Sequence, residues 1–247
     1  MAFKTIFKRY ELKYLLTLEQ KKKIQLAMEP YMDVDKYGRS VIRNLYFDTP
    51  NYRLIRHSID RPPYKEKLRV RCYQKAEADS TVFVELKKKY DHVVYKRRVS
   101  LSEHEAMAWL NRKEHCGIDT QISREIDYFM NFYGDLQPTV FLSYEREAYF
   151  ANDDSNFRIT FDDTILCRRE DLSLCSEVYG TLILPTDRVL MEIKCSGGIP
   201  LWLTRILSEE RIYKTSFSKY GTAYRDVIYP DIKNTNTYKN KEAIFNA

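Results

Sequence analysis

Glycine and proline are scarce in this chain, with 7 and 8 among 247 residues, and no stretch rich in either divides it. The scarcity excludes collagen-like and low-complexity architectures. With no linker to cut at, one domain is expected over residues 1–228, followed by a polar tail over 229–247. Long apolar runs are also missing. None approaches the roughly 18 residues that cross a bilayer as a helix, so no membrane segment is expected. The five cysteines, at 72, 116, 167, 175 and 195, form no CxxC pair. With no signal peptide in view, they point to reduced thiols and a cytoplasmic location. The four histidines, at 57, 92, 104 and 115, lack ligand spacing, which argues against a His/Cys zinc centre. Neither GxxxxGK(S/T) nor GxGxxG occurs, leaving a P-loop or dinucleotide fold without support.

Charge is plentiful, and it is ordered. Pairs of charged residues two positions apart recur: Glu11 and Lys13, Arg69 and Arg71, Glu85 and Lys87, Lys96 and Arg98, Glu192 and Lys194. Each pair lies in a segment that otherwise reads as a β-strand, where i and i+2 share a face. On an open sheet those charges would meet solvent as cross-strand ion pairs; in a closed sheet they would line an ionic lumen. The balance of 41 Lys+Arg against 35 Asp+Glu, net +6, suits a polyanionic ligand. It falls short of a nucleic-acid coat protein, and no nucleic-acid partner is expected.

Periodicity predicts strands near 7–15, 41–48, 67–74, 81–89, 93–100, 139–150, 157–162 and 188–194. Helices are predicted after the capping boxes Thr17/Gln20 and Ser102/Glu105, over 120–133, and from Pro200 to about 213. Strands with a few inserted helices define an α+β protein.

The same-face residues form a basic set of Lys13, Arg69, Arg71, Lys87, Lys96, Arg98, Arg146, Arg158 and Lys194, interleaved with Glu11, Glu85, Asp162 and Glu192. Guanidinium forks match phosphate oxygens and lysines add point charge, so the set suits a run of phosphates. A minority of carboxylates suits Mg²⁺ or Mn²⁺ shared with those phosphates. Cys195 beside Lys194 reads as an incidental thiol, and most of the 20 tyrosines as core and sheet-edge residues.

With these motifs assembled, the chain resembles the VTC domain family of polyphosphate polymerases, within the triphosphate tunnel metalloenzymes that include CYTH-type phosphatases. The resemblance covers roughly residues 3–228. It rests on Tyr10-Glu11-Leu12-Lys13, Leu45-Tyr46-Phe47-Asp48, Leu68-Arg69-Val70-Arg71, Val84-Glu85-Leu86-Lys87, Tyr95-Lys96-Arg97-Arg98, Tyr144-Glu145-Arg146, Arg158-Ile159-Thr160-Phe161-Asp162, Met191-Glu192-Ile193-Lys194 and Ser216-Phe217-Ser218-Lys219-Tyr220, in the family's order.

The resemblance implies an antiparallel β-barrel tunnel of about eight strands with flanking helices. It also implies a metal, Mn²⁺ or Mg²⁺, on Glu192, with Glu11 and Glu85 as further candidates. Lys13, Arg69, Arg71, Lys87, Lys96, Arg146, Arg158 and Lys219 are implied to bind ATP and the polyphosphate product; Lys219 enters through the resemblance alone. Arg9 stands where the wider superfamily has the first Glu of Glu-x-Glu-x-Lys, which fits the polymerase branch better than the hydrolases. The family's SPX domain and transmembrane segments have no counterpart in these residues, so a stand-alone soluble catalytic domain is expected. The expected activity is transfer of the ATP γ-phosphoryl group to polyphosphate. A tunnel tri- or polyphosphatase, a thiamine triphosphatase and a non-catalytic polyanion binder are the alternatives.

Overall fold

A computed structural model describes residues 10–91, 93–112, 114, 116–154 and 156–233. The start of the predicted first strand with Arg9, His92, His115 and the tail from 234 lie outside the described residues. Among the described residues ten strands form one antiparallel sheet: β1 (Tyr10–Thr17), β2 (Met32–Asp48), β3 (Tyr64–Cys72), β4 (Thr81–Tyr90), β5 (Val93–Ser102), β6 (Gln137–Ala151), β7 (Arg158–Arg168), β8 (Thr181–Leu182), β9 (Arg188–Cys195) and β10 (Lys214–Thr215). Among the described residues six helices accompany them: α1 (Leu18–Met28), α2 (Arg53–Ile59), α3 (Glu103–Arg112), α4 (Gln121–Tyr133), α5 (Leu201–Glu209) and α6 (Lys219–Ala223), the last running into a π-turn at Tyr224–Ile228. Residues 229–233 continue helically, so this part of the expected tail is regular.

The strand order is β10-β1-β9-β7-β6-β2-β3-β4-β5, with β8 beside β7. The α+β class and the eight long strands agree with expectation, but the hydrogen-bonded order ends at β10 and β5 and does not close. Twist curls the sheet instead: Lys87 on β4 comes within 3.3 Å of Glu11 on β1. The result is a tunnel with an unzipped wall.

Alternation then divides each strand. The outer residues of β3, β4 and β5, including Leu68, Val84 and Val99, pack against Trp109, Ile126 and Phe129 of α3 and α4. Leu16, Phe161 and Met191 meet Ile24 of α1 and Leu203 of α5 in the same way. On the concave side a third cluster fills one end: Ile42, Tyr46, Leu142 and Tyr144 enclose Ile55 of α2 and Tyr220 and Ile228 after β10. These inserted elements stopper part of the tunnel, and the charged residues line the remainder.

Both predicted capping boxes form, Thr17 with Gln20 and Ser102 with Glu105. Several elements depart from expectation: β8 and β10 were not predicted, β7 runs on to Arg168, and the helix expected to about 213 ends at Glu209; two further departures bear on the site. The strand predicted over 41–48 begins at Met32, because the polar run before Val41 pairs with the far end of β6 through an irregularity at which Gly38 adopts φ +56°. Arg39 ties that stretch down, reaching Glu145 at 2.6 Å, Glu147 at 2.7 Å and Asp163 at 2.5 Å. Helix α2 was not predicted. Its free N–H groups are received by the buried Asp48 carboxylate, from Leu54 at 2.8 Å and Ile55 at 3.0 Å, so the cap lies several residues upstream of the usual position. Asp48 also accepts from the Tyr220 hydroxyl at 3.0 Å, joining α2 to α6.

Candidate active site

Cross-strand register puts the predicted charges on the concave face. Glu11 lies opposite Lys194 and Lys13 opposite Glu192 between β1 and β9. Arg158 is opposite Lys194 between β7 and β9, and Arg146 opposite Asp162 between β6 and β7. Arg69 lies opposite Glu85, Glu85 opposite Arg98 and Lys87 opposite Lys96 across β3, β4 and β5. A directly paired residue projects from the same side of the sheet as its partner, so one register choice on each strand settles the whole face.

Two clusters result. The first surrounds Glu192 and Asp162, which are 6 % and 0 % exposed. Lys219, delivered by α6, lies 2.5 Å from Asp162 and 3.2 Å from Glu192. Arg146 forks onto both Asp162 oxygens at 2.6 and 2.7 Å and reaches Glu192 at 3.4 Å. Lys13 bridges Glu192 at 3.0 Å and Glu11 at 3.4 Å. Burial pushes both carboxyls up, but the attraction of Lys219, Lys13 and Arg146 prevails at Glu192 and holds it well below the ordinary carboxylate range, and that of Arg146 and Lys219 prevails at Asp162 and lowers it too.

The second cluster surrounds Glu85, 1 % exposed. Arg69 donates to it at 2.7 and 2.9 Å, Lys96 at 2.6 Å and Arg98 at 2.8 Å. Arg98 also donates to the Tyr73 hydroxyl at 3.2 Å and lies over the Phe83 ring. Arg71 differs from these. Its guanidinium is held by neutral groups, the Asn44 side-chain carbonyl at 2.9 Å and the Tyr144 hydroxyl at 3.0 Å. Arg158 stands towards one mouth, over the Phe150 ring and 3.5 Å from Asp35.

Several lining residues were not singled out from the sequence. Lys67 and Lys65 precede Arg69 by two and four positions on the same face, so the i, i+2 pattern could have found them. Lys67 donates to the Ser218 hydroxyl at 3.1 Å. Asn44 left no signal, and Tyr46, Tyr144 and Ser218 entered only as members of the resemblance motifs, because their polar atoms become site groups only when distant strands meet.

Among the described residues no group of three or more His, Cys, Asp or Glu gathers as a metal site. The residues present still suit a hard divalent cation of the kind that takes one or two protein carboxylates and completes its shell with phosphate oxygens and water. Glu11 and Glu192 converge on a single positive centre, the Lys13 ammonium, at 3.4 and 3.0 Å. Glu85 suits such a role less well, since three cations already occupy its oxygens.

Electrostatics sets a pH dependence. Burial, then the ammonium groups of Lys87 and Lys13, push Lys67 down to about 7. Burial also outweighs the attraction of Glu192 and brings Lys194 down to about 8, below the ordinary 10.5. Between those values and 10.5 the unfolded chain binds more protons than the native one, so unfolding free energy rises with pH. Thermal melting is therefore expected at higher temperature at pH 8.5 than at pH 7. A lower melting temperature at pH 8.5 would remove Lys67 and Lys194 as buried, anion-starved cations. On the acid side the slope keeps the same sign, because there too the unfolded chain binds more protons than the native one. Glu11, raised by burial but pulled down to about 2 chiefly by Lys87 and Lys13, stabilises the fold above 4.5 and loses that contribution as pH falls towards 2.

The VTC domain family matches residues 8–228. Comparison with curated proteins finds no match. Among solved structures, a candidate adenylate cyclase from Bacillus halodurans is 17 % identical, with a TM-score of 0.51 over 86 % of this chain and 94 % of that one. A candidate adenylyl cyclase from Hippeastrum, reported to have a dominant triphosphatase activity, is 16 % identical, with a TM-score of 0.54 over 87 % and 94 %. These likenesses show a shared tunnel fold. No helix among the described residues is long and apolar enough to cross a membrane.

Proposed function

Because this chain belongs to the VTC domain family, we propose that its tunnel transfers the γ-phosphoryl group of ATP to the end of a polyphosphate chain, releasing ADP. The observation that carries this reading is Arg71, 7 % exposed and hydrogen-bonded, among the described residues, by the neutral Asn44 and Tyr144; its charge helps to lower Glu85 from a distance, but it pairs with no carboxylate directly and its guanidinium is open to an anion in the lumen. Arg69, Lys96 and Arg98 around Glu85, and Lys13, Arg146 and Lys219 around Glu192, supply further donors on both sides. Phosphoryl transfer asks mainly for alignment and for neutralisation of charge on the transferred group. Glu192, with Glu11, would hold Mn²⁺ or Mg²⁺, which when bound would neutralise phosphate charge.

An oxygen of the chain's terminal phosphate attacks the γ-phosphorus, and the bond from that phosphorus to the β-phosphate oxygen breaks. The attacking oxygen is already anionic, so no side chain has to remove a proton. Guanidinium and ammonium groups hold donor and acceptor chains in line against their mutual repulsion.

The second reading is a tunnel triphosphatase, the activity reported for the Hippeastrum protein. Hydrolysis benefits from a base tuned near neutral pH. The lumen carboxylates are tuned the other way: Glu11, Glu85, Asp162 and Glu192 are all lowered by their cations, against the opposing effect of burial. That speaks against a carboxylate as the base for water; the lumen groups brought near neutrality are amines, Lys67 and Lys96, both at about 7.

Incubation with ATP, Mn²⁺ and a short polyphosphate, followed by separation of ADP, orthophosphate and long chains, tests the choice. ADP matched by lengthening chains is the expected result. Orthophosphate without chains would establish the hydrolase, and binding without turnover under any divalent metal would leave a polyanion-binding module.

A further inference from the structure

The strand register sets lysines directly against one another without a carboxylate between them. Lys67 on β3 is opposite Lys87 on β4, which is opposite Lys96 on β5; one step further along, Lys65 is opposite Lys89. Like charges in directly opposed positions repel across a gap of about 5 Å. Two of these lysines find distant carboxylates, Lys87 at Glu11 and Lys96 at Glu85. Lys67 does not: among the described residues its side chain meets only the Ser218 hydroxyl. A row of this kind weakens the free protein and becomes favourable once an anion lies along it.

Its direction is informative. From Arg69 through Lys67 to Lys65 the cations succeed one another on one face at about 6.6 Å, the i to i+2 spacing of a strand. The Glu192 and Glu85 clusters can engage a compact triphosphate. The lysines of β3 and β4 continue away from Glu85 towards the start of β3 and the end of β4, where Lys65 reaches the Ser58 carbonyl of α2 at 3.2 Å. A linear polyanion could follow that line; a triphosphate seated at the Glu85 cluster would not extend along it.

We propose that Lys67 is a chain-length-determining phosphate ligand which, with Lys65, Lys87 and Lys89, forms a track for the phosphates of a long polyphosphate beyond those held at the Glu85 cluster. The inference rests on the polyphosphate reading of the tunnel and adds a residue that discriminates among its ligands. The groups facing Lys67 are Lys87 and Lys89 on β4, Lys13 on β1, Lys65 and Arg69 on its own strand, and Ser218 beside α6. With its ammonium brought down to about 7 by burial and these cations, anion binding near pH 8 draws a proton onto it.

Calorimetric titration of the full chain with tripolyphosphate and with a defined long-chain polyphosphate, without nucleotide, tests the assignment. Lys67→Gln is expected to weaken the long chain about tenfold and tripolyphosphate by less than about twofold. It should melt no lower than the wild type, since a repelled cation has been removed. Lys67→Arg should keep the affinity for both ligands, while proton uptake on binding the long chain, read from buffers of different ionisation enthalpy, becomes smaller, because arginine is already charged. Equal losses for the two ligands, or no loss for the long chain, would overturn the role of Lys67 and leave the polymerase reading standing. A wild-type protein that binds tripolyphosphate but no long chain would overturn both.

Discussion

Glu192→Gln is expected to lower conversion of ATP to polyphosphate by about a thousandfold, while tripolyphosphate binding measured without divalent metal is retained or tightened. The carboxylate is 6 % exposed and meets Lys13, Lys219 and Arg146 at 3.0, 3.2 and 3.4 Å. Glutamine keeps the shape and one accepting oxygen, so Lys13 and Lys219 can still donate to it. What disappears is a negative charge that would attract a divalent cation and repel phosphate. The two readouts therefore move apart, which a collapsed site could not imitate. Turnover equal to that of the wild type would remove Glu192 from the chemistry.

Asp162→Asn is expected to produce the largest stability loss. Asp162 is fully buried, both its oxygens are taken by Arg146, and Lys219 lies 2.5 Å away. Neutralising it leaves two buried cations with only Glu192 between them. Breaking a buried pair in this way costs about 3–5 kcal/mol, a fall in melting temperature of roughly 10 °C for a domain of this size. Asp163→Asn next in sequence is the comparison. Its partner Arg39 is 44 % exposed and has two other carboxylates, so about 1 kcal/mol or less is expected. A melting temperature for Asp162→Asn within about 2 °C of the wild type would show that the cluster does not hold α6 in place.

Lys219 illustrates why the two clusters differ in legibility. Arg69, Arg71, Glu85, Lys87, Lys96 and Arg98 belong to three consecutive strands, and alternation alone puts them on one face. The Glu192 cluster draws on β1, β6, β7, β9 and α6, so its members are up to 206 positions apart in the chain, from Lys13 to Lys219. No local period connects a lysine on a five-residue helix to a carboxylate on a strand. Its place follows from Tyr220 packing with Tyr46 inside the tunnel and Asp48 receiving the Tyr220 hydroxyl.

Lys67 was missed for the opposite reason. It obeys the same alternation as Arg69 and Arg71, but a lysine at the start of a strand reads as a solvated edge residue. Only the pairing with Lys87, and the carboxylates that go to Lys87 and Lys96 instead, single it out.

The amino-acid sequence by itself determined the eight long strands, both capping boxes and the single charged face, from which the proposed phosphate ligand was read. All of these depend on periods of two or about 3.6 residues and on interactions within a few positions. The tertiary structure alone decided that the sheet curls without closing, that Glu85 and Asp162 are saturated by cations while Arg71 is hydrogen-bonded by neutral groups, and that Glu11 and Glu192 share one positive centre. Those outcomes depend on how many opposite charges come within about 4 Å in a low-dielectric space. Strand twist and long-range register set that number, and the paired charges two residues apart are compatible with many values of it.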